Sequence, residues 1–173
     1  MSQATVNIFN TKKLTDSIIR PSNTTAYAAG DVISEVTSNK HFTFGGDNNV
    51  GQLKGIITQV AMQITSNKTT KPDLELWLFS EDIADVEDNA AFAPSDTEIL
   101  TLIDVIPLPV ADWYIGLAGA DAAGNIVQVL KSLHIEIPES SGQLFGQLVV
   151  RNSYTPISAE LFKADLVIQL NSL

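Results

Sequence analysis

The sequence predicts an all-β fold: a single-domain antiparallel β-sandwich, jelly-roll-like, with an extended N-terminal arm and at most one or two short helical turns. Three observations predict it. Short segments of alternating apolar and polar residues recur along the chain, glycine, proline and asparagine separate them, and no stretch sustains a helical period. A length of 173 residues suits one domain, with the arm at residues 1–23 and the sandwich at residues 24–173.

The arm is expected to lie outside the core. Ile8 and Phe9 suit a short strand, Lys12 and Lys13 suit solvent, and Pro21 fixes an extended approach to the domain. Such a segment pairs either with a sheet edge of its own domain or with a neighbouring molecule.

Two segments give the clearest strand signals. In residues 55–64 the side chains alternate, so that Ile56, Val60, Met62 and Ile64 share one face with Thr58, and the other face holds Ile57, Gln59, Ala61 and Gln63. In residues 74–79 bulky apolar groups lie on both faces, which predicts a central strand with its outer face covered by a loop or a partner. Further strands are expected at residues 41–44, 113–116, 127–137, 144–151 and 160–170, and a turn at Gly30 and Asp31.

The segment between these strands, residues 80–106, is ambiguous. Ser80 is expected to cap a helical turn that holds Ile83 and Val86. A capping box at residues 95–98 predicts a second short turn, followed by a strand because β-branched residues dominate residues 99–106. A helix over residues 99–106 is the alternative. Pro107 and Pro109 are expected to end the segment.

The charge is distributed unevenly. Residues 1–71 carry seven basic and four acidic residues, whereas residues 72–130 carry twelve acidic residues and no basic one. A surface this acidic repels phosphate backbones, so we expect no direct nucleic-acid binding. The acidic block is either a solvated face or a face that meets a basic surface on another protein or another copy of the chain.

Several classes are not expected. The chain has no cysteine, which excludes disulfides and thiolate chemistry and suits a reducing cytoplasm. The N-terminus does not have the pattern of a signal peptide, and no apolar run reaches the ~20 residues that span a bilayer, so no membrane association is expected.

No catalytic signature is present, so we expect neither an enzyme nor a cofactor. The two histidines, His41 and His134, are expected to be neutral surface imidazoles, and neither a Gly-X-Ser-X-Gly elbow nor a phosphate-binding loop occurs. Abundant carboxylates leave a glycosidase as an open alternative. The loop carboxylates of residues 82–88 leave calcium binding open, although the EF-hand spacing is missing.

Four segments carry a family resemblance: residues 27–33 (YAAGDVI), 74–79 (LELWLF), 88–96 (DNAAFAPSD) and 144–150 (LFGQLVV). Over residues 18–170 the chain resembles a group of tailed-bacteriophage structural proteins, some of them head decoration or capsid cement proteins. The resemblance implies a jelly-roll-like fold and a homo-oligomer, commonly a trimer, on the capsid exterior, made in the host cytoplasm and bound to the major capsid protein. It transfers no catalytic residue.

Under this resemblance, the candidate partner-binding residues belong to the arm and to the acidic loop. They are Ile8, Phe9, Lys12, Lys13 and Arg20 in the arm, and Asp82, Asp85, Glu87 and Asp88 in the loop. The alternative function is a glycan-binding module of a phage tail or fibre, in which Trp113 or Trp77 stacks on a sugar ring.

Overall fold

A computed structural model gives the fold. It describes residues 10–38, 40–45, 54–65, 71–115, 126–137 and 142–170. The chain forms two antiparallel sheets packed face to face, which confirms the predicted all-β sandwich. Among the described residues, no helix is long and apolar enough to cross a membrane.

The first sheet has five strands in the order β1-β10-β4-β8-β7. These strands are β1 (Asn10–Ile19), β4 (Gly55–Thr65), β7 (Tyr114–Ile115), β8 (Ile126–Ile137) and β10 (Leu161–Leu170). The long strand β1 therefore lies at one edge of the sheet.

The second sheet has the order β2-β9-β5-β6. Strand β3 also pairs with β9, along a different stretch of β9 from the one that pairs with β2. These strands are β2 (Val32–Ile33), β3 (Phe42–Gly45), β5 (Leu74–Phe79), β6 (Leu102–Leu108) and β9 (Gln143–Val150). Between the elements lie one helical turn, α1 (Asp96–Ile99), and one 3₁₀ turn (Val110–Asp112).

Apolar side chains from the inner faces of both sheets form the core. Leu74, Leu76 and Leu78 of β5 are fully buried, as are Leu166 and Ile168 of β10. The alternation predicted for β5 is confirmed, since its inner residues are leucines; Leu74 and Leu76 are in register with the core residues Leu108 and Ile106 of β6 and Val150 and Leu148 of β9. Their burial supplies most of the driving force for closing the sandwich.

Strand β4 departs from strict alternation at Thr58. Val167 lies opposite Gln59, and the next residue, Ile168, lies opposite Ile57, so Thr58 is an extra residue in β4. The sequence prediction placed Ile56 on the same face as Val60, but Ile57 is the residue buried with Val60. Before Thr58, the two faces of the strand are therefore the reverse of the prediction. From Val60 onward, the predicted faces are correct.

Part of the expected arm belongs to the sandwich. All ten residues of β1 pair with β10, and Leu14 and Ile18 of β1 are core residues. Of the two expectations for this segment, pairing with its own domain is the one found, because the inward side chains of β1 have apolar partners there: Leu14 is opposite Leu166, and Ile18 is opposite Phe162. Residues 1–9 lie outside the described part of the chain.

Residues 80–95, which we call the strap, cross the outer face of the second sheet. The strap reaches the edge strand β2, where the Val32 N–H donates to the Ala90 carbonyl and the Asn89 N–H donates to the Val32 carbonyl. Ile83 of the strap packs against Phe79 and Phe145 of the sheet in a second apolar cluster. The expected loop cover over the outer face of β5 is therefore present.

The start of the strap differs from the prediction. Ser80 does not cap a helical turn; its hydroxyl donates to the Thr101 carbonyl at 3.1 Å, and the following residues have no helical conformation. Ile83 packs into the apolar cluster instead, and this tertiary packing overrides a weak local preference.

The end of the strap follows the prediction. The Ser95–Glu98 capping box is formed, α1 is one turn long, and a strand follows it. Pro107, expected to end the segment, lies inside β6 opposite Glu75. Since β6 is the edge strand of its sheet, a residue without an N–H is tolerated there.

Candidate functional site

The acidic loop residues do not form one cluster. Asp88 turns inward, with 6% of its side chain exposed, whereas Asp82 and Asp85 are 75% and 49% exposed and flank His41. Glu87 is exposed to solvent. The calcium alternative is not supported, because the described residues contain no group of three acidic or histidine side chains able to hold a metal ion.

Arg20 and Asp88 form a buried ion pair between the end of β1 and the strap. The Arg20 side chain is fully buried, and its Nη2 lies 3.3 Å from Asp88 Oδ2. The other Asp88 oxygen accepts hydrogen bonds from the Tyr27 hydroxyl at 2.6 Å and from the Ser34 N–H at 3.1 Å. Asp88 thus anchors the strap to the interior.

The guanidinium of Arg20 is fully satisfied. Its Nε donates to the Tyr27 hydroxyl, Nη1 donates to the carbonyls of Asn23 and Ile157, and Nη2 donates to the Asn23 side-chain oxygen and to Asp88. A guanidinium has five N–H donors, and each has an acceptor here. Arg20, predicted to contact a partner, is therefore a structural residue whose side chain is withdrawn from the surface.

Two tyrosines extend this buried network. The rings of Tyr27 and Tyr154 stack with their centroids 6.4 Å apart, and the Tyr154 hydroxyl donates to the carboxylate of Glu160. Burial raises the pKa of both phenols, and the nearby carboxylates of Asp88 and Glu160 raise it further. Both tyrosines therefore keep their protons and act as hydrogen-bond donors.

His41 forms a second connection to the strap. It precedes β3 and is only 4% exposed, which contradicts the predicted surface imidazole. Its Nε2 lies 3.1 Å from Asp82 Oδ1, and its Nδ1 lies 3.5 Å from Asp85 Oδ1. The ring also packs edge-on against Phe145. His41 is buried because the strap and β9 close around it.

The surroundings of His41 favour the neutral form of its ring. Burial lowers its pKa, although Asp82 and Asp85 act in the opposite direction. The ring donates from Nε2 to Asp82, since the hydrogen-bonding distance is on that side. Nδ1 then carries a lone pair, is shielded from solvent, and has no hydrogen-bond partner among the described residues.

A groove of about 370 Å³ opens beside this histidine. His41, Asp82 and Asp85 line it together with polar and aromatic side chains: Lys40, Thr43, Gln143 and Phe145. Two carboxylates against one lysine leave the lining with net negative charge. The groove therefore favours a positively charged guest.

The arm lysines lie on β1, the edge strand of the first sheet. Lys13 pairs with Asp165 at 2.8 Å, and the same carboxylate accepts a hydrogen bond from the Thr15 hydroxyl at 2.6 Å. Burial raises the pKa of Asp165, but the bonds from Lys13 and Thr15 outweigh it, and the net pKa lies below its usual value. Lys12 is partly buried, so neither lysine is a freely projecting charge.

The predicted site residues are thus placed in three separate locations. Arg20 and Asp88 meet in the interior, Asp82 and Asp85 line the groove at His41, and Lys12 and Lys13 lie on β1. Ile8 and Phe9 lie outside the described residues.

The aromatic side chains offered for glycan stacking are largely unavailable. Trp113 is 2% exposed, and its indole N–H donates to the Leu108 carbonyl at 3.1 Å. Trp77 is partly buried and packs edge-on against Phe92 of the strap. The two rings are therefore part of the packing, and Trp113 cannot act as the expected platform.

Comparison of the sequence with protein-family models gives no match, and comparison with curated proteins gives none either. The fold and its surfaces are therefore the basis for a functional argument.

Proposed function

We propose that this chain is a non-enzymatic structural protein of a tailed-bacteriophage virion, a capsid decoration protein that forms a homo-oligomer, most simply a trimer, and binds the lattice of the major capsid protein on the outside of the shell. The proposal combines the sequence resemblance with surfaces suited to adhesion. The observation that carries it is the position of β1, a ten-residue strand at the edge of the first sheet.

An edge strand offers unpaired backbone groups to another chain. Of the strands that the structure describes, only β10 pairs with β1. The end of the other edge is covered in part, since the Ile19 carbonyl accepts from the Val36 N–H and the Asp16 carboxylate accepts from the Thr43 N–H. Strand addition at such an edge gives main-chain hydrogen bonds without a specialised pocket, which suits a protein that joins many identical subunits. Charged residues on this strand discourage indiscriminate pairing, although Lys13 pairs with Asp165 and Asp16 accepts the Thr43 N–H within the molecule.

A second feature supports adhesion. Leu100, directly after α1, is 85% exposed, and its neighbour Ile99 is 41% exposed. Apolar side chains that project in this way are normal singly, but two in succession at the tip of a rigid turn provide an anchor for a partner's pocket. The edge strand belongs to the first sheet, and this tip precedes β6 of the second sheet, so the molecule offers two surfaces for neighbours.

The mass in solution tests the proposal. Light scattering on the purified chain should give about three times 18.6 kDa over a range of protein concentrations. The same measurement on Leu100→Asp tests the exposed tip. Val110→Asp, at another exposed apolar position, is the matched control. A stable monomer at every concentration would contradict a self-assembling shell protein and favour a monomeric binding module.

A further inference from the structure

The groove beside His41 has the properties of a site for a cation. Asp82 and Asp85 line it and are 75% and 49% exposed, so both carboxylates are accessible to a guest. Lys40 is the single basic residue among the described residues that line it. Exposed carboxylates alone are common on this protein and would not define a site.

The second observation is the histidine behind the carboxylates. His41 is 96% buried, and its Nδ1 has no hydrogen-bond partner among the residues that the structure describes, while Asp85 Oδ1 lies 3.5 Å away. With the proton on Nε2, the Nδ1 lone pair faces a carboxylate, and the two electron-rich groups repel each other. A positive charge beside Asp85 would offset this repulsion. In this tautomer, a cation in the groove would stabilise the arrangement of His41 and Asp85.

The geometry argues against a metal ion as this cation. Asp82 and Asp85 approach opposite nitrogens of the ring, so the imidazole stands between the two carboxylate oxygens that contact it. A metal ion draws its ligand atoms to within roughly 2.0–2.6 Å of a single point. A planar guanidinium instead directs five N–H groups outward over a wider arc and tolerates an aromatic neighbour such as Phe145.

We propose that this groove binds an arginine side chain of a basic partner protein, with Asp85 and Asp82 as its acceptors. The inference rests on the proposed function, because it names the chemistry of one contact that a shell-binding protein makes. Arginine is favoured over lysine because its fork can engage two carboxylates at once.

The chain's own two arginines argue against a second copy as the partner: Arg20 is fully buried, and Arg151 is ion-paired with Glu75. The chain has a net charge of −10, and the block that contains the groove carries acidic residues without a compensating basic one over residues 72–130. Two such faces repel each other, whereas a basic surface is attracted and steered to this one. The partner is therefore a different protein with an exposed arginine.

Binding of a fluorescent oligo-arginine peptide tests the proposal, measured by anisotropy at about 0.15 M salt, where long-range attraction is screened. The site variant is Asp82→Asn/Asp85→Asn. Its matched control, Asp96→Asn/Asp104→Asn, removes the same charge from exposed positions outside the groove. We expect the site variant to lose about tenfold in affinity and the control less than about twofold.

A second measurement works on the unmodified protein. Long-range ¹H–¹⁵N spectra of the imidazoles report the two ring nitrogens of His41, and exposed His134 is an internal reference. The arginine peptide should shift the His41 signals and leave those of His134 in place. An equal loss of affinity in both variants, an oligo-lysine peptide that binds as tightly, or unmoved His41 signals would each overturn the proposal.

These experiments do not depend on assembly. A chain that is monomeric in solution but binds arginine at His41 would contradict the proposed function and keep the groove as a site. A trimer that does not bind arginine would support the proposed function and contradict the groove as an arginine site.

Discussion

The guanidinium of Arg20 and the carboxylate of Asp88 form an ion pair of 3.3 Å, in which neither side chain is more than 6% exposed. Arg20 follows β1 of the first sheet, and Asp88 belongs to the strap over the second sheet. The pair thus joins two parts of the sandwich that are 68 positions apart in sequence. Its hydrogen bonds to Tyr27, Asn23 and Ser34 satisfy both charged groups.

Replacing Asp88 by alanine should destabilise the fold strongly. The change leaves the buried guanidinium without its counter-charge and removes the acceptor of the Tyr27 hydroxyl and of the Ser34 N–H, so we expect a loss of about 3–5 kcal/mol in the free energy of unfolding. Urea denaturation followed by circular dichroism measures it. Glu87→Ala, at the exposed neighbouring position, should cost less than about 0.5 kcal/mol. Similar losses for the two variants would show that the pair is not an anchor.

Adding a methyl group at Gly55 should cost more than adding one at Gly146. A Cβ at Gly55 would lie 2.2 Å from the Gln169 carbonyl oxygen, so the backbone of β10 must move. At Gly146 the nearest atoms, 3.0 Å and 3.1 Å away, belong to the side chains of Phe44 and Leu76, which can adjust. We expect about 3 kcal/mol for Gly55→Ala and about 1 kcal/mol for Gly146→Ala. Thermal melting of both variants measures which substitution destabilises the fold more. A larger loss for Gly146→Ala than for Gly55→Ala would contradict the packing of β4 on β10.

His41 should make stability depend on pH in a defined direction. Because burial lowers its pKa in the folded state below the ordinary value of 6.5, the unfolded chain binds the extra proton more readily. The contribution of His41 is therefore present above about pH 6.5 and is lost as the pH falls below that value. This window lies above the range in which the carboxyl groups titrate.

The measurement is the melting temperature between about pH 7.5 and pH 5.5. The melting temperature of His41→Gln should fall less as the pH decreases. His134→Gln, at an exposed position, should show the same fall as the unmodified protein. A His41→Gln variant with an unchanged slope would show that the histidine titrates alike in the folded and unfolded chain.

Alternation and capping signals predicted much of the fold. The β5 pattern of leucines against Glu75, Trp77 and Phe79 placed the strand in the middle of a sheet with a covered outer face, because both faces carry groups that need burial. The Ser95–Glu98 pair fixed the short turn before β6, since its hydrogen bonds lie within four residues. Signals of this kind are local and can be read from one segment.

The features that sequence reasoning missed depend on contacts between distant segments. An extra residue at Thr58 leaves no mark in the alternation, so the faces of Ile56 and Ile57 were exchanged. Likewise, nothing near Arg20 indicates that Asp88 is its partner, and nothing near His41 indicates that the strap buries it. A histidine directly before the alternating Phe42 and Phe44 was the one available signal of burial, and it is weak.

Binding to undecorated, expanded phage capsids tests the proposed capsid role most directly. The informative truncation removes residues 1–9 alone, since deletion up to Arg20 would also remove β1 and the anchor of the strap. Co-sedimentation should show the full chain saturating the capsids at a fixed ratio to the major capsid protein, with lower occupancy for the truncated chain. A full chain that stays in the supernatant at saturating concentration would contradict the account.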